Sequence, residues 1–167
     1  MQIWNAILED IAPDRIILHL VTLGIAYLLA LPIGWNREVE ERSAGLRTFP
    51  LVAVAACGFL QATESLMNGS PEATARIIEG VITGIGFIGG GAILQMKDRV
   101  QGTATAASLW ATGAMGVAVG VGSYDVAVII MIITFVTLGM LNRLKKEAQI
   151  DQSHANGAPP PRDDAMR

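Results

Sequence analysis

The sequence predicts an all-α, polytopic membrane protein of five transmembrane helices, with its N-terminus outside and its C-terminus in the cytoplasm. Three observations carry this expectation. Hydrophobic residues make up 51% of the 167 residues and charged residues 16%, against about 25% charged in an ordinary soluble domain. The 18 glycines sit mostly inside apolar runs rather than between them, which is costly for a helix in water but lets helices approach closely in lipid. The 12 basic residues fall very unevenly on the connections between those runs.

Residues 1–14 place Ile3, Trp4, Ile7, Leu8 and Ile11 on one helical stripe, which predicts a short amphipathic helix lying at the membrane surface. No basic stretch precedes the first apolar run, so the pattern is not that of a signal peptide. Five apolar segments follow at 16–35, 50–67, 77–94, 104–121 and 126–141. At 1.5 Å per residue they span roughly 24–30 Å, close to the hydrocarbon thickness. A soluble fold would have to hide five nearly uncharged helices beneath too little chain. Residues 145–167 carry Pro159-Pro160-Pro161 and scattered charges, the composition of a disordered cytoplasmic tail. The expected organisation is therefore an interfacial helix (1–14), a transmembrane domain (15–144) and a tail (145–167), with no soluble C-terminal domain.

Orientation follows from the basic residues. With the N-terminus outside, Arg37, Arg42, Arg47, Lys97, Arg99, Arg143, Lys145, Lys146, Arg162 and Arg167 all face inward, and only Arg15 and Arg76 face outward. Trp35 and Tyr124 stand where interfacial aromatic anchors belong. A net charge of −3 offers no basic surface for nucleic acid. Cys57 is the single cysteine; it can form neither an internal disulfide nor a cysteine-rich metal site, and reads as a small buried apolar residue. His19 and His154 lie far apart and no nucleophile–base arrangement can be assembled, so no enzymatic activity is expected.

Four constellations could carry function. The connection 36–48 holds three arginines and three glutamates, at spacings that allow Arg37–Glu41 and Glu38–Arg42 pairs. It is either a solvated helix extension or a folded charge cluster in which Glu38 meets a cation and Arg47 holds a neighbouring helix end. Thr48, just before Pro50, looks like the start of segment two. Segment three places Gly80 and Gly84, and Gly86 and Gly90, four residues apart, giving two small faces for close packing or a helix that breaks to expose carbonyls. It is not a nucleotide loop, since no strand precedes it and no Lys-Ser or Lys-Thr follows. Glu79 and Glu64 fall near the outer ends of segments three and two. Ionisable groups at such depth are functional candidates by default, and two carboxylates at one vestibule would suit a hydrated divalent ion. The bland alternative is that both reach water, with Arg76 pairing Glu79. Segment four is rich in small and hydroxyl residues, and Trp110 lies too deep for an interfacial belt, so it is expected to pack on the glycines of segment three or to donate to a buried carbonyl. Segments three and four thus look like an inner pair that the other helices enclose.

Three strings resemble the MgtC/SapB family: Gly34 through Arg37-Glu38 to Ala44-Gly45-Leu46-Arg47-Thr48, then Gly84-Ile85-Gly86-Phe87-Ile88-Gly89, then Thr105-Ala106-Ala107-Ser108-Leu109-Trp110. They follow in the family's order and spacing over roughly residues 23–122. The resemblance implies a five-helix bacterial inner-membrane protein with a periplasmic N-terminus, linked to Mg²⁺. It marks Arg37, Glu38, Arg47, Thr48, Gly84, Gly86 and Trp110 as motif residues. The chain departs from many relatives in carrying Glu79 where they have glutamine, so a metal role for Glu79 is not implied by the resemblance. An acidic residue often found before the arginine of segment three is displaced to Glu72, and the soluble C-terminal domain of longer relatives is not expected. Two functions stay open: a Mg²⁺ transport protein using Glu79, Glu64 and Glu38, with a homo-oligomer supplying the pathway, or a non-transporting regulator that docks on another membrane protein under low Mg²⁺. Besides Mg²⁺ no cofactor is expected, and the lipid bilayer is the constant partner.

Overall fold

In a computed structural model the chain is described over residues 13–40, 44–64, 70–96 and 99–155. Among these residues it forms α1 (Pro13–Val39), α2 (Thr48–Ala62), α3 (Pro71–Gly91), strands β1 (Leu94–Met96) and β2 (Arg99–Gln101), α4 (Thr103–Gly120) and α5 (Tyr124–Ala155). The all-α expectation holds, and each expected apolar segment has its helix. By length and composition α1 and α3 can cross a membrane, while α2 and the Tyr124–Met140 part of α5 are apolar but shorter. The amphipathic helix expected over 1–14 lies almost wholly outside the described residues.

The boundaries follow local chemistry. α3 starts at Pro71 rather than Ile77 because Ser70 Oγ accepts from the Ala73 N–H at 3.2 Å, with proline at the first helical position and Glu72 in the first turn. The helix ends on Gly89-Gly90-Gly91, the poorest helix formers it contains. The chain then enters a small antiparallel hairpin pairing Leu94 with Gln101 and Met96 with Arg99, which the sequence reading did not anticipate. Gly102 closes this hairpin in the left-handed region (φ 89°), and a Cβ there would collide with the Ala92 carbonyl oxygen, so only glycine can lead into α4. α5 runs on to Ala155, which corrects the disordered tail expected from residue 145. Lys145-Lys146-Glu147-Ala148-Gln149 are all good helix formers, and proline is first met again at Pro159. Residues 156–167 of that tail are outside the described set.

α4 is the centre of the bundle: it packs against all four other helices. Small residues make this possible. A Cβ on Gly116 would run into the Ala53 carbonyl oxygen, and one on Gly120 would press on Leu60 and the Cys57 carbonyl, so α2 and α4 meet backbone to backbone. Ala26 and Ala30 of α1, Ala53 and Cys57 of α2, Met115 and Val119 of α4 and Ala127 of α5 close one core cluster, all fully buried. Phe49, Leu60 and Leu109 anchor the second, which reaches Val81 and Ile85 of α3.

The expected inner pair is therefore half right. α4 is enclosed, but α3 is peripheral. Only Val81, Ile85 and Gly89 of α3 are buried, one stripe at four-residue spacing, and it lies on α4 with Gly89 against Ala106 and Ile85 against Gly113. Ile77 and Ile78 are partly buried against the core, while most of the remainder is exposed, Phe87 to 86%. Gly80, Gly84, Gly86, Gly90 and Gly91 have no atom within 4 Å of where a Cβ would stand. α3 packs mainly on α4 and only lightly on α2, so the glycines off that contact are left bare.

Candidate functional site

At the end of the bundle where α1 finishes and α2 and α4 begin, the last turn of α1 carries Arg37 into the protein. Arg37 is only 3% exposed. Its Nη1 pairs with Glu40 Oε2 at 3.1 Å, and its Nη2 donates to Thr105 Oγ1 of α4 at 3.0 Å. Burying a guanidinium carries a large desolvation cost, which this pair and hydrogen bond offset. Thr105 begins a ladder of buried hydroxyls on α4. Ser108 Oγ donates to the Ala104 carbonyl at 2.8 Å and Thr112 Oγ1 to that of Ser108 at 2.8 Å, so these two hydroxyls are satisfied within their own helix.

Glu38 points the other way and serves the turn before α2. Its Oε2 accepts the Leu46 N–H at 3.0 Å, while the Gly45 carbonyl receives the N–H groups of Thr48 and Phe49 at 3.0 and 3.1 Å. A Cβ on Gly45 would collide with the Glu38 carboxylate, and one on Gly34 would lie 3.2 Å from Leu46 Cα. The string Gly34, Arg37-Glu38, Gly45-Leu46 is thus a single folded unit joining α1, α2 and α4. Among the described residues of this connection Arg37 pairs with Glu40, and Glu38 accepts the Leu46 N–H at the approach to α2. Glu41 and Arg42, the other proposed partners, lie outside the described residues.

Two hollows flank this frame. At the opposite end, a polar pocket of about 440 Å³ gathers His19 and Thr22 of α1, Gln61 of α2, Glu64 just after it, Thr74 of α3, Gly120 of α4 and Tyr124 of α5. His19 Nδ1 is buried there without a hydrogen-bond partner among the described residues. Between α2 and α3 runs an apolar groove of about 720 Å³, lined from Arg47 and Thr48 to Phe59, Thr63 and Ile77.

The candidate carboxylates do not converge. Glu64 lines the polar pocket; Glu79 is exposed on α3 and is not among its lining residues. Glu38 is at the other end, occupied with Leu46. Among the described residues no three histidine, cysteine, aspartate or glutamate side chains come together as a metal site. Trp110 is half exposed, which corrects its expected burial against α3: Gly89 meets Ala106 instead, and Trp110 falls on another side of α4. Gly84 and Gly86 are open. The sequence reading missed His19, Thr22 and Tyr124 as pocket residues, because the pocket is assembled from all five helices and no local spacing announces it.

The family model for the MgtC family matches residues 23–147. The chain is 36% identical to the protein SrpB of Synechococcus elongatus over 143 residues, 78% of this chain and 79% of that one. It is 39% identical to the protein MgtC of Salmonella typhimurium over 115 residues and 43% identical to MgtC of Brucella abortus over 100. Those matches cover 69% and 60% of this chain but only 48% and 41% of the two MgtC proteins, so the chain spans about half the length of these relatives. No solved structure matches it significantly. The matched region contains the Arg37–Glu40–Thr105 cluster, the Glu38–Leu46 turn and the glycine contacts of α4 together, and the chain belongs to the MgtC family.

Proposed function

We propose that the chain is a five-span bacterial inner-membrane protein, N-terminus outside and C-terminus cytoplasmic, that serves magnesium homeostasis as a non-conducting regulator. Successive helices of the bundle run in alternate directions. If α1 and α3 cross the bilayer, α2 must return the chain between them, and α4 and α5 complete the same alternation. The excess of arginine and lysine at the end holding Arg37, Arg47 and Arg99 supports placing that end in the cytoplasm.

The observation that favours regulation is the filled core. Beneath the polar pocket, Ala26, Ala30, Ala53, Cys57, Met115 and Val119 close the bundle fully buried, and a hydrated ion cannot enter a dry apolar core. The pocket suits an outer vestibule in which Glu64, Gln61 and Tyr124 would hold Mg²⁺ through its retained waters. Glu79 and Glu38 are assigned no metal role, and no reaction is assigned to the chain. Regulation then works through docking on another membrane protein. Transport is the second reading, and the bare glycine side of α3 favours it: several copies meeting there could enclose a path that one copy lacks.

Purified protein in liposomes loaded with a Mg²⁺-sensitive dye separates the two. Flux equal to that of empty vesicles is expected. Flux above those vesicles, lost on adding a competing divalent ion, would overturn the regulator reading in favour of transport.

A further inference from the structure

The apolar groove between α2 and α3 exists because its floor lacks side chains: Gly80 and Gly84 of α3 stand in open space opposite the alanines of α2, while Leu51, Phe59, Ile77 and Ile88 form its walls. Along α2 it runs from Thr48 to Thr63 and along α3 from Ile88 to Ile77, about 20 Å at 1.5 Å per residue. Its volume of about 720 Å³ and its apolar walls suit a hydrocarbon guest.

Its polarity is one-sided. One end opens on Arg47, exposed, with no carboxylate or acceptor bound to its side chain among the described residues. Thr48 stands beside it, and both sit at the start of α2, whose dipole favours negative charge there. The other end has only the hydroxyl of Thr63, which is already donated to the Phe59 carbonyl at 2.6 Å. A guest with one anionic end and a long apolar body is what this pattern complements.

We propose that the groove holds one anionic phospholipid of the inner leaflet, its phosphate on the Arg47 guanidinium and the Thr48 hydroxyl and an acyl chain lying over Gly80 and Gly84. This rests on the membrane orientation given above, which sets Arg47 at the headgroup level of the cytoplasmic leaflet. It also gives Arg47 and Gly84, which the helix packing leaves without a task, a shared one.

Native mass spectrometry of the full chain, released from vesicles of phosphatidylethanolamine and phosphatidylglycerol in equal amounts, tests it. One phosphatidylglycerol retained per chain is expected. Arg47→Gln should cut retention roughly tenfold, the scale of one charge-assisted contact, and remove the preference over phosphatidylethanolamine. A Cβ at Gly84 has open space and a leucine there extends into the groove, so Gly84→Leu should abolish retention while circular dichroism stays helical. Equal retention of both lipids, or retention untouched by Gly84→Leu, would overturn the proposal. So would a dimer without bound lipid that Gly84→Leu dissociates, which assigns the groove to a second copy. Bound lipid appearing only after deletion of residues 1–12 would overturn it too, in favour of that segment as the occupant. Failure of the orientation itself is read separately: a reporter fused after Arg167 would then be digested from outside intact cells, whatever lipid is retained.

Discussion

α3 and α4 are the two glycine-rich helices of this chain, and they use glycine in opposite ways. In α4, Gly113, Gly116 and Gly120 are filled by Ile85, by the Ala53 carbonyl and by Leu60. Each lets a neighbour come closer than alanine would. In α3, Gly80, Gly84, Gly86, Gly90 and Gly91 touch nothing beyond their own helix, and only Gly89 is used for packing. The hydroxyls divide in the same way. Thr105, Ser108 and Thr112 of α4 are buried, whereas Thr83 of α3 is exposed with its hydroxyl on the Glu79 carbonyl at 2.8 Å. Composition alone does not separate a structural glycine face from an available one; the number of neighbours does. α4 holds the bundle together, and α3 keeps a surface in reserve.

The largest effect that sharpens this contrast is steric. Gly116→Leu must push α2 off α4, costing about 3 kcal/mol or more, and the purified variant should lose its cooperative melt. Gly86→Leu should melt like the parent; a matching collapse would mean that α3 is enclosed after all. The next effect is electrostatic. Arg37→Gln leaves Glu40 and Thr105 without their cation, at about 3 kcal/mol for a pair this buried, and chemical denaturation in detergent should read it directly. A neutral result would mean that Arg37 reaches water. Smaller again is the hydroxyl comparison: Thr105→Val should cost about 1–2 kcal/mol and Thr83→Val close to nothing. The smallest is a ligand effect. If the polar pocket holds hydrated Mg²⁺, Glu64→Gln should reduce the Mg²⁺-dependent rise in Tm and Glu79→Gln should leave it unchanged; the reverse pattern would move the vestibule onto α3.

Much of the architecture was legible in the sequence, because five apolar runs, their charges and the Thr48–Pro50 start each have a local cause. The true start of α3 was legible too, in Ser70-Pro71-Glu72, but apolarity rather than capping set the expected boundary at Ile77. Other features were not readable. The hairpin rests on three residues a side, too short for alternation to stand out. The polar pocket, which joins His19, Glu64 and Tyr124, draws its lining from all five helices. The roles of Glu38 and Arg37 were recognisable as a cluster, yet their partners, Leu46 N–H and Thr105, depend on a turn and a helix crossing that spacing does not encode. The equal status given to α3 and α4 failed for a similar reason: a small-residue pattern records what a helix could accept, and only the fold decides what arrives.

The most direct measurement is a matched pair of alanines, Gly86→Ala in α3 and Gly116→Ala in α4, unfolded side by side in the same detergent. Alanine is the better helix former by up to about 1 kcal/mol, so Gly86→Ala should be neutral or slightly stabilising. Gly116→Ala brings its methyl onto the Ala53 carbonyl and should destabilise by about 1–3 kcal/mol. Equal losses at both positions, or a loss at Gly86 alone, would contradict the division of the bundle into a closed α4 and an open α3.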